Sequence, residues 1–232
     1  MLEIQRQLRA LADPQIAKHS QCFFKTGKGE YGEGDLFLGV RVPKLRELVK
    51  NHKKVTVDEA VELLQSKYHE ERLLALLILV ERFQQGGEEL KKEIYMIYLN
   101  NSLQINNWDL VDSSADKIVG GYLLNRDRKR LYVLAKSKTV WERRIAIMAT
   151  FTFIREGDFT DTLKISKALL SDSEDLIHKA VGWMLREVGK RDHLIEEEYL
   201  KKSYKQMPRT MLRYAIEKFP EKLRKAYLAG KV

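Results

Sequence analysis

The chain has 232 residues, of which 44% are hydrophobic and 32% charged, a composition typical of a globular protein with a sizeable core. No run approaches the roughly 18 unbroken apolar residues of a membrane helix, and the first residues lack the apolar stretch of a secretory signal. One cysteine excludes an internal disulfide, and the five histidines show no metal-ligand spacing. We therefore expect a cytoplasmic protein that needs no metal and no cofactor.

The charge balance is strongly basic. The chain contains 42 Lys and Arg residues against 33 Asp and Glu residues, which leaves a formal net charge of +9. A surplus of this size indicates a polyanionic partner, because a basic surface attracts phosphate-rich polymers and anionic surfaces. Nucleic acid is the first candidate and an anionic membrane surface the second.

The N-terminal elements are predicted to be helices, followed by a glycine-rich loop. Apolar residues recur every three or four positions within residues 1–25, and we expect Cys22 there to be a buried, inert thiol. In the loop at residues 26–35, the segment Gly27–Gly32 matches the G-x-G-x-x-G pattern. A dinucleotide site is rejected, because that site needs a preceding strand and the acidic residues of this loop would repel a pyrophosphate.

The rest of the chain predicts pairs of helices. Phe37–Val40 is the best strand candidate but is too short to form a sheet, and Thr56 is a predicted helix N-cap. Residues with similar neighbourhoods recur every 35 or 36 positions: Arg72, Asn107, Arg143, His178 and Arg213. A shorter amphipathic helix lies between most of them. This spacing predicts an all-α fold of about twelve helices, a right-handed solenoid of HEAT-like repeats.

The predicted domain organisation is one HEAT-like domain over residues 1–232. It comprises N-terminal helices in residues 1–25, the loop at 26–35 and about five helix pairs over residues 43–230. Equivalent positions in a solenoid line up along one surface, so residues near the start of each second helix should form a track. The residues of that track are Arg72, Trp108, Arg143, Arg144, His178, Lys179 and Arg213. Cations at four of five repeats indicate a groove for a phosphate backbone.

The most informative string is NNWDLVD at residues 106–112. Trp108 and Asp112 are four residues apart, so on a helix they occupy one face, one turn from each other. An aromatic ring beside a carboxylate can hold a cation, although Trp108 as a core aromatic with Asp112 as a solvated residue is the plainer interpretation. The repeat spacing places both Trp108 and Asp112 on the cationic track. A carboxylate at that position would repel phosphates, so its presence there requires a functional explanation.

A second aromatic candidate is Trp183, for which a role in the site and core packing remain equally open. The adjacent residues Arg143 and Arg144 project about 100° apart on a helix, so both cannot face one groove squarely.

Several of these segments resemble the AlkD-type DNA alkylation repair family, the DNA glycosylases built from HEAT-like repeats. They are LFLGVRVPKLRELVK at 36–50, NNWDLVDSSA at 106–115, WERRIA at 141–146 and HKAVGWMLRE at 178–187. The resemblance spans about residues 15 to 220. It departs from the family pattern in the longer acidic loop at 27–35 and in Lys179, where arginine is expected.

The resemblance implies excision of cationic N3- or N7-alkylated purines, such as 3-methyladenine and 7-methylguanine, from double-stranded DNA, leaving an abasic site. It implies that Asp112 is the catalytic carboxylate, that Trp108 and Trp183 contact the sugar, and that Arg144 grips the DNA. Arg143, Lys179, Arg72 and Arg213 are the further expected DNA-binding residues. We expect a monomeric, monofunctional enzyme associated with the nucleoid through its function.

Two alternatives stay open at this point. The chain can be a non-catalytic member that binds DNA through the same cations, or a scaffold whose basic groove holds an acidic protein. The lesion range, base flipping and the role of loop 27–35 are not decided by the sequence.

Overall fold

The computed structural model describes residues 1–232 and groups them into two units, residues 1–114 (unit 1) and residues 115–232 (unit 2). The chain is helical throughout and contains no strand, which confirms the predicted all-α class. The only β feature is a single parallel bridge between Leu36 and Tyr68. No helix is both long and apolar enough to span a membrane. The HEAT-like superhelix and the single-domain organisation stay predictions.

Unit 1 contains seven α-helices and one short 3₁₀ turn. They are α1 (Glu3–Ala10), α2 (Pro14–Phe23), α3 (Val42–Asn51), α4 (Val57–Leu64), α5 (His69–Gln85), α6 (Glu88–Asn100), the 3₁₀ turn Ser102–Gln104 and α7 (Trp108–Ala115).

Unit 2 opens with a π-helical turn and contains eight α-helices. They are the π turn Asp116–Gly120, α8 (Gly121–Leu123), α9 (Lys129–Leu134), α10 (Val140–Arg155), α11 (Thr160–Ala168), α12 (Asp175–Gly189), α13 (His193–Ser203), α14 (Arg209–Ala215), the 3₁₀ turn Ile216–Lys218 and α15 (Glu221–Leu228). The fifteen α-helices exceed the twelve expected because several are only two turns or less.

Helix starts follow the expected capping chemistry. Thr56 forms the predicted cap of α4: its hydroxyl oxygen accepts the backbone N–H of Glu59, and the Glu59 carboxylate accepts the backbone N–H of Thr56. Asp13 caps α2, with Pro14 in the first helical position. These local bonds satisfy N–H groups that a helix start leaves without a partner.

The 35-residue spacing corresponds to a turn that recurs before three long helices. In this turn motif, a Ser or Asp side chain accepts the backbone N–H two residues later, and its own carbonyl oxygen accepts a bond from a side chain six residues later. The residue pairs are Ser66 with Arg72 before α5, Ser137 with Arg143 before α10, and Asp172 with His178 before α12. The repeated residues therefore hold the connection that enters each long helix.

The core of unit 2 is built on close contact between α12 and α14. A Cβ added at Gly182 would collide with the Met211 carbonyl oxygen and the Tyr214 side chain, so only glycine allows this approach. The neighbouring Trp183 is rotated about 100° around α12 from Gly182, and its contacts are with Phe151 and Glu187.

Candidate active site

Trp108 and Asp112 both lie on α7, as its first and fifth residues. Both side chains are half-buried, so neither is sealed in the core and neither is fully exposed. Trp108 stacks on Phe24 with ring centroids 5.4 Å apart, and the edge of Phe23 contacts it at 6.0 Å. Trp108 is thus a surface aromatic with one side supported by other rings.

The rings behind Trp108 form a continuous stack into the interior. Phe24 lies parallel to Phe37 at 5.1 Å, and Phe37 lies parallel to His69 at 4.7 Å. Phe37 and His69 are buried. Stacked rings of this kind favour one ring orientation, so the stack fixes the plane of the Trp108 indole. No local sequence pattern reveals this stack, because Phe24, Phe37 and His69 are distant from Trp108 along the chain.

His69, at the start of α5, is a buried cation between two carboxylates. Its Nε2 lies 2.8 Å from an Asp109 oxygen and its Nδ1 lies 3.5 Å from an Asp35 oxygen. Burial lowers the pKa of His69, but the charge of Asp109 and the hydrogen bonds to Asp109 and Asp35 outweigh burial and raise it to about 9. His69 therefore carries a proton at neutral pH and ties the first turn of α5 to the first turn of α7.

Arg72 does not line a phosphate groove, which corrects the prediction. It is only 3% exposed, and its guanidinium lies 2.7 Å from an Asp35 oxygen and 3.0 Å from the Asn106 side-chain oxygen. It also donates to the Ser66 carbonyl oxygen in the turn motif. Burial raises the pKa of Asp35, but the bond to His69 and the charge of Arg72 bring the net value below its usual range. The four charged groups of this network therefore form ion pairs with one another inside unit 1; they are His69, Arg72, Asp35 and Asp109.

The next residue of α5, Glu70, holds the chain segment that carries Phe37. Its carboxylate accepts the backbone N–H groups of Leu38, Gly39 and Val40 at 2.7–3.2 Å. The predicted strand candidate is therefore an extended segment bonded to a buried side chain instead of to another strand. Only the burial of the Glu70 side chain shows this role. The sequence does not reveal which charged residue of an apolar helix is buried.

The glycine-rich loop is folded on itself. Glu30 and Glu33 accept the backbone N–H groups of Gly27 and Gly29, both at 2.8 Å. The loop follows α2 and no strand precedes it, so it lacks the strand–loop–helix arrangement that a dinucleotide site needs. Cys22, expected to be buried, is exposed at the end of α2, which corrects that expectation, because the outer face of this short helix is left uncovered.

Trp183 lies on α12 in unit 2 and is half-buried. Its indole N–H donates to the Glu187 carboxylate at 3.2 Å, and its ring centroid lies 6.3 Å from that of Phe151. This ring is therefore held at a partly exposed position, as Trp108 is in unit 1.

The predicted DNA-binding arginines of α10 are engaged within the protein. Arg143 forms a bidentate pair with Asp172 at 2.6 and 3.2 Å and also donates to the Ser137 carbonyl oxygen, so its guanidinium is engaged in the turn motif, and its contact with DNA stays a prediction. Arg144 is 4% exposed and donates to the Leu176 carbonyl oxygen at 2.5 Å. Arg144 therefore lies just beneath the surface, and its predicted contact with DNA stays a prediction.

The remaining predicted cations are more accessible. Lys179 is half-buried and pairs with Asp175 at 2.7 Å, while Arg213 is exposed on α14. No group of three or more His, Cys, Asp or Glu side chains is arranged to bind a metal ion.

Comparisons with known proteins agree with this helical architecture. The solved structure of a predicted DNA alkylation repair enzyme from Enterococcus faecalis is similar to this chain with a TM-score of 0.70, at 18% sequence identity, over 90% of this chain and 97% of that one. No curated protein matches the sequence significantly. A model of the DNA alkylation repair enzyme family matches residues 4–219. The chain therefore belongs to the DNA alkylation repair enzyme family.

Proposed function

We propose that this protein is a monofunctional DNA glycosylase. It hydrolyses the N-glycosidic bond of cationic N3- or N7-alkylated purines in duplex DNA and leaves an abasic site. The observation that carries the proposal is the half-buried pair of Trp108 and Asp112 on one turn of α7, with the Trp108 ring supported by the stack of Phe24, Phe37 and His69.

The chemistry of the lesion explains why one carboxylate suffices. Alkylation at N3 or N7 gives the purine a full positive charge, so it departs as a neutral base without a general acid. Glycosidases with poor leaving groups normally need two carboxylates, one of which protonates the leaving oxygen. A cationic purine removes the need for that acid.

Asp112 acts on the sugar. As the C1′–N bond stretches, positive charge develops on the deoxyribose, and a fixed carboxylate stabilises it more than it stabilises the ground state. Removing one preorganised electrostatic partner typically costs about 10²–10³ in rate, which corresponds to about 3–4 kcal/mol. Asp112 also has the chemistry to orient the attacking water.

Trp108 supplies an electron-rich ring face beside the same developing charge. Such a contact contributes roughly 0.5–2 kcal/mol, with the larger value where the contact is shielded from water. The buried ring stack limits rotation of Trp108, so less of this energy is lost to ordering the side chain. The resemblance assigns Trp183 a second sugar contact, and its bond to Glu187 orients that ring in the same way.

The monofunctional assignment follows from the lysines. A bifunctional glycosylase needs an amine to form a Schiff base with the sugar, and no lysine occurs in the string NNWDLVD. Lys117 is the next along the chain, and its ammonium is held by Asp116 at 2.8 Å.

A lesion panel tests the proposal. Duplexes that carry one 7-methylguanine, one uracil or one hypoxanthine are incubated with the protein, and the liberated base is measured. We expect release of 7-methylguanine only, because uracil and hypoxanthine are neutral and depart poorly without a general acid. Release of the neutral bases at a comparable rate would overturn the single-carboxylate mechanism.

The same duplexes separate the two non-catalytic alternatives. If no base is released but the affinity for DNA falls steeply with log[salt], the protein is a DNA binder. If affinity for DNA is absent at low salt, the scaffold alternative replaces the proposal.

A further inference from the structure

Two arginines of unit 2 lie near the same aromatic ring. Arg155 on α10 lies over the Phe151 ring with its Cζ 4.0 Å from the centroid, and Arg191, two residues after α12, lies 5.8 Å from the same centroid. Two lysines, Lys117 and Lys190, complete what we call the Phe151 cluster. None of these cations is among the residues predicted from the sequence to bind DNA.

Two buried carboxylates hold these cations in place. Asp116, 3% exposed, lies 2.8 Å from the Lys117 ammonium and 2.7 Å from the Arg155 guanidinium. Glu187, 6% exposed, holds the other two cations, and it also accepts the indole N–H of Trp183. Its distances are 2.6 Å to Lys190 and 3.2 Å to Arg191. Four cations on two carboxylates leave a net charge of +2 beside Trp183.

The burial of the carboxylates distinguishes this cluster from ordinary surface ion pairs. Lys202 and Lys225 pair with glutamates whose side chains are 69% and 70% exposed, so their charges are neutralised at the surface. In the Phe151 cluster the side chains of Arg155 and Lys190 are 42% and 43% exposed while their carboxylates lie beneath. The cationic side chains are therefore partly exposed, whereas the carboxylates that pair with them are buried.

The guanidiniums retain donors for a ligand. Arg155 uses Nη2 for Asp116, and Arg191 uses Nη1 for Glu187. This leaves Nε and Nη1 of Arg155 and Nε and Nη2 of Arg191. A planar guanidinium packed on a ring presents such donors as a rigid fork, the geometry that two phosphate oxygens accept.

We propose that the Phe151 cluster is a seat for the phosphodiester backbone of DNA, in which Arg155 and Arg191 contact phosphates and Lys117 and Lys190 add charge at its rim. The identity of the polymer rests on the proposed function. Glu187 is the positioning residue, since it holds two of these cations and Trp183 together. Phosphate binding is thus placed on residues other than the predicted Arg72 and Arg143.

Salt-dependent affinity for an undamaged duplex tests the seat. For the double variant Arg155→Gln/Arg191→Gln we expect the slope of log affinity against log[salt] to fall by about 1.8, since each neutralised phosphate contributes about 0.9. The control, Lys202→Gln/Lys225→Gln, removes the same net charge from exposed ion pairs and should leave the slope unchanged. A slope that is unchanged in the first variant, or reduced equally in the control, would overturn the seat.

Two additions keep the outcome interpretable. If the arginine variant does not fold, as circular dichroism will show, Lys117→Gln/Lys190→Gln leaves each carboxylate one arginine partner and should still reduce the slope. Polyglutamate is the competitor that represents an acidic protein, and displacement of DNA by polyglutamate at equal charge would also refute a DNA seat. Because the duplex is undamaged, the salt-dependence measurement does not depend on base release. A negative result in either experiment therefore leaves the result of the other unchanged.

Discussion

His69 shows how a residue on one helix can support the candidate site on another. Its ring ends the aromatic stack behind Trp108, and its two nitrogens face Asp109 and Asp35. His69 therefore links α5 to the first turn of α7 through Asp109. Asp109 and Asp35 lie 40 and 34 residues from His69 along the chain, so no local pattern reveals these contacts.

The charge of His69 predicts a pH dependence of stability. Its pKa of about 9 in the folded protein exceeds the ordinary 6.5, so its stabilising contribution is complete below pH 6.5 and is lost as the pH rises through 9. A shift of this size corresponds to at most about 3 kcal/mol. Urea unfolding of the native protein and His69→Gln should show a stability gap that narrows from pH 6 to pH 10. A gap that is constant across this range would contradict the charged histidine.

The Trp108 and Asp112 pair was predictable because the relation is local. A spacing of four residues on a helix places two side chains on one face whatever the surrounding fold, and α7 has that form. Their partial exposure was a hypothesis drawn from the repeats, and both side chains are half-buried. The supporting stack could not be predicted, because it joins three distant segments.

At the scale of the helix pair, the repeat spacing was predictable but its meaning was not. Arg72, Arg143 and His178 recur because each closes the turn motif before a long helix. Sequence periodicity shows that positions are equivalent, but it does not show whether a cation faces solvent or a carbonyl oxygen. For Arg72 and Arg143 the deciding partners, Asp35 and Asp172, lie 37 and 29 residues away.

The turn motif predicts a stability cost that is independent of DNA. Arg143→Met leaves the Asp172 carboxylate, 5% exposed, without its ion-pair partner, and should cost about 3–5 kcal/mol of unfolding free energy. Arg213→Met at the corresponding exposed position should change it by less than about 0.5 kcal/mol. Denaturant unfolding of both variants measures the difference. Equal effects would show that Arg143 does not hold the turn.

At the scale of the whole chain, the composition predicted a polyanion partner and the motifs predicted the family. The match over residues 4–219 confirms the DNA alkylation repair enzyme family, which implies DNA as the substrate, while the AlkD type stays a prediction. The net charge of +9 does not locate the DNA-binding surface, because it includes buried cations such as Arg72 and Arg144. Exposed cations paired with buried carboxylates, as in the Phe151 cluster, are a better criterion for a phosphate-binding surface. This criterion can be applied only to a three-dimensional structure.

The catalytic role of Asp112 is the central claim, and it is tested by the single-turnover rate of 7-methylguanine release from one defined duplex. Asp112→Asn should release the base about 10²–10³ times more slowly than the native protein while binding undamaged duplex at least as tightly, because only the carboxylate charge is removed. The control Asp58→Asn, an exposed carboxylate in the first turn of α4, should match the native rate. If Asp112→Asn also released 7-methylguanine at the native rate, the account of catalysis would be wrong.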